Sequence, residues 1–106
     1  MLKRVSCFVA VSALLSGPAF ACDWPTESVD DIPRGATATQ QEMDAARKKV
    51  AAYVKALEEY AACMDARPGG ARDRDRAIAE AQRVADRMNR EIRQFNRSLQ
   101  LRQAST

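Results

Sequence analysis

The chain has 106 residues, 46% of them hydrophobic and 29% charged, which leaves room for one small domain. Lys and Arg total 17 against 14 Asp and Glu, and a net charge of +3 is too slight to argue for nucleic acid. Histidine is absent, which removes the usual general base and the commonest metal ligand.

The chain opens with a short basic start, Met1-Leu2-Lys3-Arg4, followed by an apolar run from Val5 to Leu15. That run has the length of a signal-peptide core and is too short to span a membrane. Ser16-Gly17-Pro18 breaks it, and Ala19-Phe20-Ala21 has the A-x-A form of a cleavage site. Residues 1–21 are therefore predicted to be a signal peptide, cut between Ala21 and Cys22. No second apolar run follows, so no transmembrane segment is expected in the mature chain. Lys3, Arg4 and Cys7 leave with the leader. What remains is polarised, with five basic and nine acidic residues from Cys22 to Ala66, then ten basic and five acidic from Arg67 to Thr106. Opposite charge on the two halves suits two helices lying together, or two copies pairing head to tail.

The mature chain holds two cysteines, Cys22 and Cys63, which in an exported protein most simply form one disulfide. The rival reading is a lipoprotein of the outer membrane anchored through Cys22. Ala19 and the bulky Phe20 fit the lipoprotein cleavage pattern poorly, and lipidation would strand Cys63 as a free thiol.

Residues 22–39 contain Pro25, Pro33 and Gly35 and show no helical period, so they are predicted to be an extended strap. Trp24, Val29 and Ile32 are apolar residues that a disordered tail would not need. A helix from Gln40 to Cys63 rises about 35 Å. An extended strap from Cys22 to Thr39 reaches about 56 Å, enough to run back along that helix with slack for a turn at Pro33-Arg34-Gly35.

Residues 40–102 read as a helical hairpin. Thr39-Gln40-Gln41-Glu42 is a capping box that starts the first helix, predicted over 40–66. Residues 67–70, Arg67-Pro68-Gly69-Gly70, form the turn, and the second helix is predicted over 71–101 with a disordered tail at 103–106. Met43, Ala46, Val50, Tyr53, Leu57, Tyr60 and Met64 recur at alternating steps of three and four. Ile78, Ala81, Ala85, Met88, Ile92, Phe95 and Leu99 do the same. Such spacing keeps one stripe of each helix on a partner. Val54, Ala61 and Val84 widen the stripes beyond what a two-helix hairpin covers, so the strap or a second copy is expected over the remainder. Glu80–Arg83 and Asp86–Arg90 are surface neighbours on the second helix. The fold class is all-α, an antiparallel two-helix hairpin with an N-terminal strap.

Few constellations carry chemistry. The cysteines are far apart in sequence, so there is no CxxC pair for zinc or redox work, and no metal site or cofactor is expected. Asp30-Asp31 and Glu58-Glu59 are adjacent carboxylates, but adjacent residues on a helix point apart. No catalytic residue is expected. Arg76, Arg83, Arg90 and Arg97 are spaced by seven, on the face of the second helix opposite its apolar stripe. They read either as a solvated back paired with Glu80 and Asp86, or as a cationic rail for an anionic envelope surface.

Cys22, Asp31-Ile32-Pro33-Arg34-Gly35, Ala38-Thr39, Glu42-Met43, Val50, Tyr53, Tyr60 and Cys63 together resemble a group of small exported proteins of proteobacteria. Those share a D-I-P-x-G segment, an A-T-x-x-E-M helix start and tyrosines before a cysteine. The likeness spans about Cys22 to Cys63 and implies a Gram-negative periplasm and a helical fold. It brings no activity and no binding residues, and the arginine-rich helix falls outside it. The expected role is a non-enzymatic, exported periplasmic protein with a structural or interaction function, with a homodimer through the helical stripes as one partner. The alternative is a peripheral envelope-binding module using the four arginines, or the Cys22-anchored lipoprotein.

Overall fold

The computed structural model describes residues 21–105. The predicted leader, apart from Ala21, lies outside the described residues. Two helices, α1 (Gln40–Asp65) and α2 (Ala71–Ala104), pack antiparallel, and no strand occurs among the described residues. The fold is the expected all-α hairpin.

Local chemistry sets the helix ends. The Glu42 N–H donates to Thr39 Oγ1 at 3.1 Å, and Glu42 Oε1 accepts from the Thr39 N–H at 3.2 Å, so the capping box is complete. Such a cap satisfies two otherwise orphaned amides. Gly69 makes the reversal, with φ of 76°, a conformation open to glycine at little cost. Arg74 ties the turn from outside, its guanidinium bonding Asp65 across the hairpin and Asp75 at 3.0 Å. Where the sequence ends the second helix at Leu101, α2 continues to Ala104 and takes in part of the predicted tail. Arg102, Gln103 and Ala104 are strong helix formers and no glycine or proline stops them.

The core follows the first stripe closely. Met43, Ala46, Val50, Tyr53, Leu57 and Tyr60 are buried, and Met64 is half-buried. The second stripe is corrected at its start. Ile78 is 43% exposed, while Ala77 is fully covered and Val84 nearly so. The cause is geometric. A straight α-helix drifts about 20° per heptad against a strict seven-residue repeat. Traced back from Leu99 through Ile92 and Ala85, the row has turned about 60° away from the hairpin by Ile78. Ala77, Ala81, Val84, Met88 and Phe95 hold the contact instead. The two alanines leave room for α1 to approach.

The strap is the third layer. It runs from the turn end of the hairpin to its open end, along one side of the groove between α1 and α2. Val29, Ile32 and Ala38 are buried in the common core, with Cys22 and Trp24 packed against it. Gly35 touches the α2 backbone itself: a Cβ there would overlap the Glu91 carbonyl and stand 2.7 Å from Phe95 N. Its N–H donates to Glu91 Oε1 at 3.0 Å, and Ser98 Oγ donates to the Ala36 carbonyl at 3.1 Å. The Arg34 carbonyl accepts from Thr37 and Ala38, closing the turn that leads into α1. Gly35 is thus required by close approach rather than by slack in a loop.

Gly35→Ala is expected to force the strap off α2 at a cost of about 1–3 kcal/mol, the usual range for overpacking. Urea unfolding should show a lower midpoint with far-UV helicity retained. An unchanged midpoint would contradict the close approach.

Candidate functional site

The chemically varied part of the molecule is the seam between the start of the strap and the middle of both helices. Cys22 and Cys63 form a disulfide that links positions 41 apart, with Cα atoms 5.7 Å apart. The bond sets the start of the strap beside the last turns of α1. Two residues on, Trp24 therefore meets Tyr60, one turn before Cys63. The rings lie edge to face with centroids 5.2 Å apart and planes at 75°. From the other side the Arg76 guanidinium sits 4.8 Å from the Trp24 ring centroid. The indole is held between a ring of α1 and a cation of α2, and each contact contributes about 0.5–1.5 kcal/mol. Trp24, Arg76, Ala79, Glu80 and Arg83 line an open depression of about 540 Å³.

Glu80 is the hub beneath it. The Tyr53 hydroxyl donates to Glu80 Oε1 at 3.4 Å. Arg83 donates to both carboxylate oxygens, at 2.9 Å to Oε2 and 2.5 Å to Oε1. Burial pushes the Tyr53 phenol up, and the neighbouring Glu80 carboxylate adds to the shift, against smaller opposing effects of Arg83 and the Trp24 indole. The Arg83 hydrogen bonds hold the Glu80 carboxyl below its ordinary range, although desolvation opposes them. This group can keep one carboxylate charged and one phenol neutral. It knits α1 to α2.

The four sequence-predicted arginines are all exposed but differ in their partners. Arg76 is stacked on Trp24 and Arg83 is paired with Glu80. Arg90 and Arg97 are exposed, and neither has a partner among the described residues. Asp86, expected to pair with Arg90, does not do so, unlike Glu80 with Arg83. The same drift explains the split. The row turns about 60° from Arg76 to Arg97, so its first half flanks the strap and its second half faces water.

The carboxylate pairs also separate. Asp30 accepts from Ser28 at 2.9 Å and Asp31 stands 3.9 Å from Lys49, both exposed, while Glu58 and Glu59 face solvent. No group of three His, Cys, Asp or Glu that could hold a metal ion occurs among the described residues. No described helix is long and apolar enough to cross a membrane. The Glu80–Arg83 pair stands as the spacing predicts, while sequence reasoning missed the Arg76–Trp24 stack and the Tyr53–Glu80 bond between the helices. The first was within reach: a Cys22–Cys63 bond places Trp24 near Tyr60, level with the early turns of the second helix. The second depends on helix rotation that spacing alone does not supply. The chain matches no family model, no curated protein and no solved structure.

Stability should depend on pH through this hub. The raised Tyr53 pKa stabilises the folded chain below the ordinary tyrosine value of 10.0, and that contribution is lost as pH climbs through the folded value. The lowered Glu80 pKa stabilises it above the ordinary carboxylate value of 4.5, and that contribution is lost as pH falls through the folded value. Urea midpoints across pH should therefore show a shallower acid limb for Glu80→Gln and a shallower alkaline limb for Tyr53→Phe than for the parent. At neutral pH Tyr53→Phe is expected to cost about 0.5–1.5 kcal/mol.

Proposed function

We propose that the mature chain is a non-enzymatic, exported periplasmic protein with an interaction role, offering a pinned helical surface to a protein partner. The observation that carries this reading is the side of the hairpin away from the strap. Val54, Ala85, Ile92 and Leu99 are only partly covered there, and Ile78 is 43% exposed. The strap fills one side of the α1–α2 groove and leaves this one open.

The Cys22–Cys63 disulfide supports an oxidising compartment, in keeping with the leader-like start of the chain. It also uses the Cys22 sulfur that a lipid anchor would need, which favours a periplasmic protein over an outer-membrane lipoprotein. Tyr53, Glu80, Arg83 and Arg76 are engaged with one another or with the strap, which favours a structural role for them over catalysis. The envelope-binding alternative is weakened in the same way. A stacked or paired arginine gains less from a phospholipid headgroup, and Arg90 and Arg97, the other two of the row, are worth about 1 kcal/mol each at an anionic surface.

Two measurements on the natively expressed protein test this reading. Intact mass spectrometry of the periplasmic fraction should give a chain beginning at an unmodified Cys22 and two hydrogens lighter than its reduced form. A photo-crosslinking residue at Ile78 should give a discrete protein adduct in cells, while one at Asp86, on the outer side of α2, should give none. Acylation at Cys22, or no adduct from Ile78, would contradict the proposal.

A further inference from the structure

The open side of the hairpin carries a charge pattern as well as an apolar one. Arg47, Ala51, Val54 and Glu58 follow one another at steps of four, three and four, which places them on a single face of α1. Arg47 lines the groove away from the strap, together with Ile92 and Leu99 of α2. That places the α1 row and the uncovered α2 row on the same side. Arg47 and Glu58 are exposed, and neither has a partner among the described residues. They stand about 17 Å apart, with two small apolar residues between them.

From this pattern we infer that the partner is a second copy of this chain, packed face to face and end to end reversed to give a four-helix bundle. The inference rests on the interaction reading above. A two-fold axis between Ala51 and Val54 sets Arg47 of one copy against Glu58 of the other, and the same pair recurs by symmetry. An interface of this kind uses one patch twice, so a patch must complement itself when reversed. This one does, with opposite charges at its two ends and apolar residues at its centre.

α2 obeys the same axis. The Asp65–Arg74 ion pair fixes the register of the two helices and puts Ala85 level with the Ala51–Val54 midpoint to within one helical turn. Reversal about Ala85 sets Ile78 of one copy against Ile92 of the other, twice. The most exposed apolar side chain of the α2 row thereby gains an apolar partner, and Ala85 lets the backbones approach at the axis. Helices meeting through such rows at a shallow angle are the usual construction of a four-helix bundle.

Sedimentation equilibrium on the oxidised chain, expressed with its leader and purified from the periplasm, tests the proposal. The expected result is a dimer at tens of micromolar, the order of magnitude of a modest interface. Arg47→Glu and Glu58→Arg should each weaken it about tenfold by setting like charges together twice, and the double reversal should restore it. Ile78→Glu should give a monomer of unchanged helicity, because the side chain is exposed in the single copy. A monomer across that range, or a dimer indifferent to both single charge reversals, would overturn the inference. A monomer in solution combined with an Ile78 adduct to a different protein would overturn the dimer while leaving the interaction role standing.

Discussion

One closed loop organises this molecule. The strap is joined to α1 at Thr39 by the chain itself and to Cys63 by a disulfide, so neither of its ends can leave the hairpin without breaking a covalent bond or unwinding a helix. Two helices alone bury too little to be secure at this size. An extended segment would ordinarily be a poor third layer, because its backbone amides need partners. Here the close approach of Gly35 lets the strap donate to Glu91 and accept from Ser98, so the segment is seated by side chains of α2 without a sheet. Val29 and Ile32 then fill the groove between the helices.

Pinning the strap to one side of the hairpin has consequences for the other polar groups. Trp24 reaches across to Arg76 only because Cys22 is held at the end of α1. Tyr53 and Glu80 bond under the edge of the strap, where partial burial strengthens the interaction. These groups are occupied where the strap lies. Free charges and uncovered apolar side chains collect on the remaining surfaces: Arg90 and Arg97 on the outer side of α2, and Arg47, Glu58, Ile78 and Ile92 on the open side. The asymmetry gives one face covered by the strap and one left open.

Much of this was legible in the residues. The α1 stripe, the capping box, the turn and the pairing of Cys22 with Cys63 follow from spacing, cap chemistry and a count. The α2 stripe was legible only from its middle onward. A heptad template and a straight helix part company by about 20° per repeat, and over three repeats that is enough to expose Ile78 and bury Ala77. Of the arginine row, the exposure of all four side chains and the Glu80–Arg83 pair are legible in the spacing, but the stacking of Arg76 on Trp24 is not, since equal spacing by seven does not keep four residues in one environment on a straight helix. Gly35 sits in the turn that its sequence predicts, but sequence shows only that a glycine is present and not that the α2 backbone approaches it. Contacts between the strap and α2 lie more than fifty positions apart, and no local pattern encodes them.

The central claim is that the closed loop holds the fold together, and unfolding with and without the disulfide tests it most directly. In the chain-entropy account, closing a loop of this length is worth about 4 kcal/mol. Urea titration of the oxidised and fully reduced chain should show a loss of that order, with the near-ultraviolet signal of Trp24 fading on reduction as the strap leaves Tyr60 and Arg76. Equal unfolding midpoints for the two forms, with Trp24 undisturbed, would contradict it.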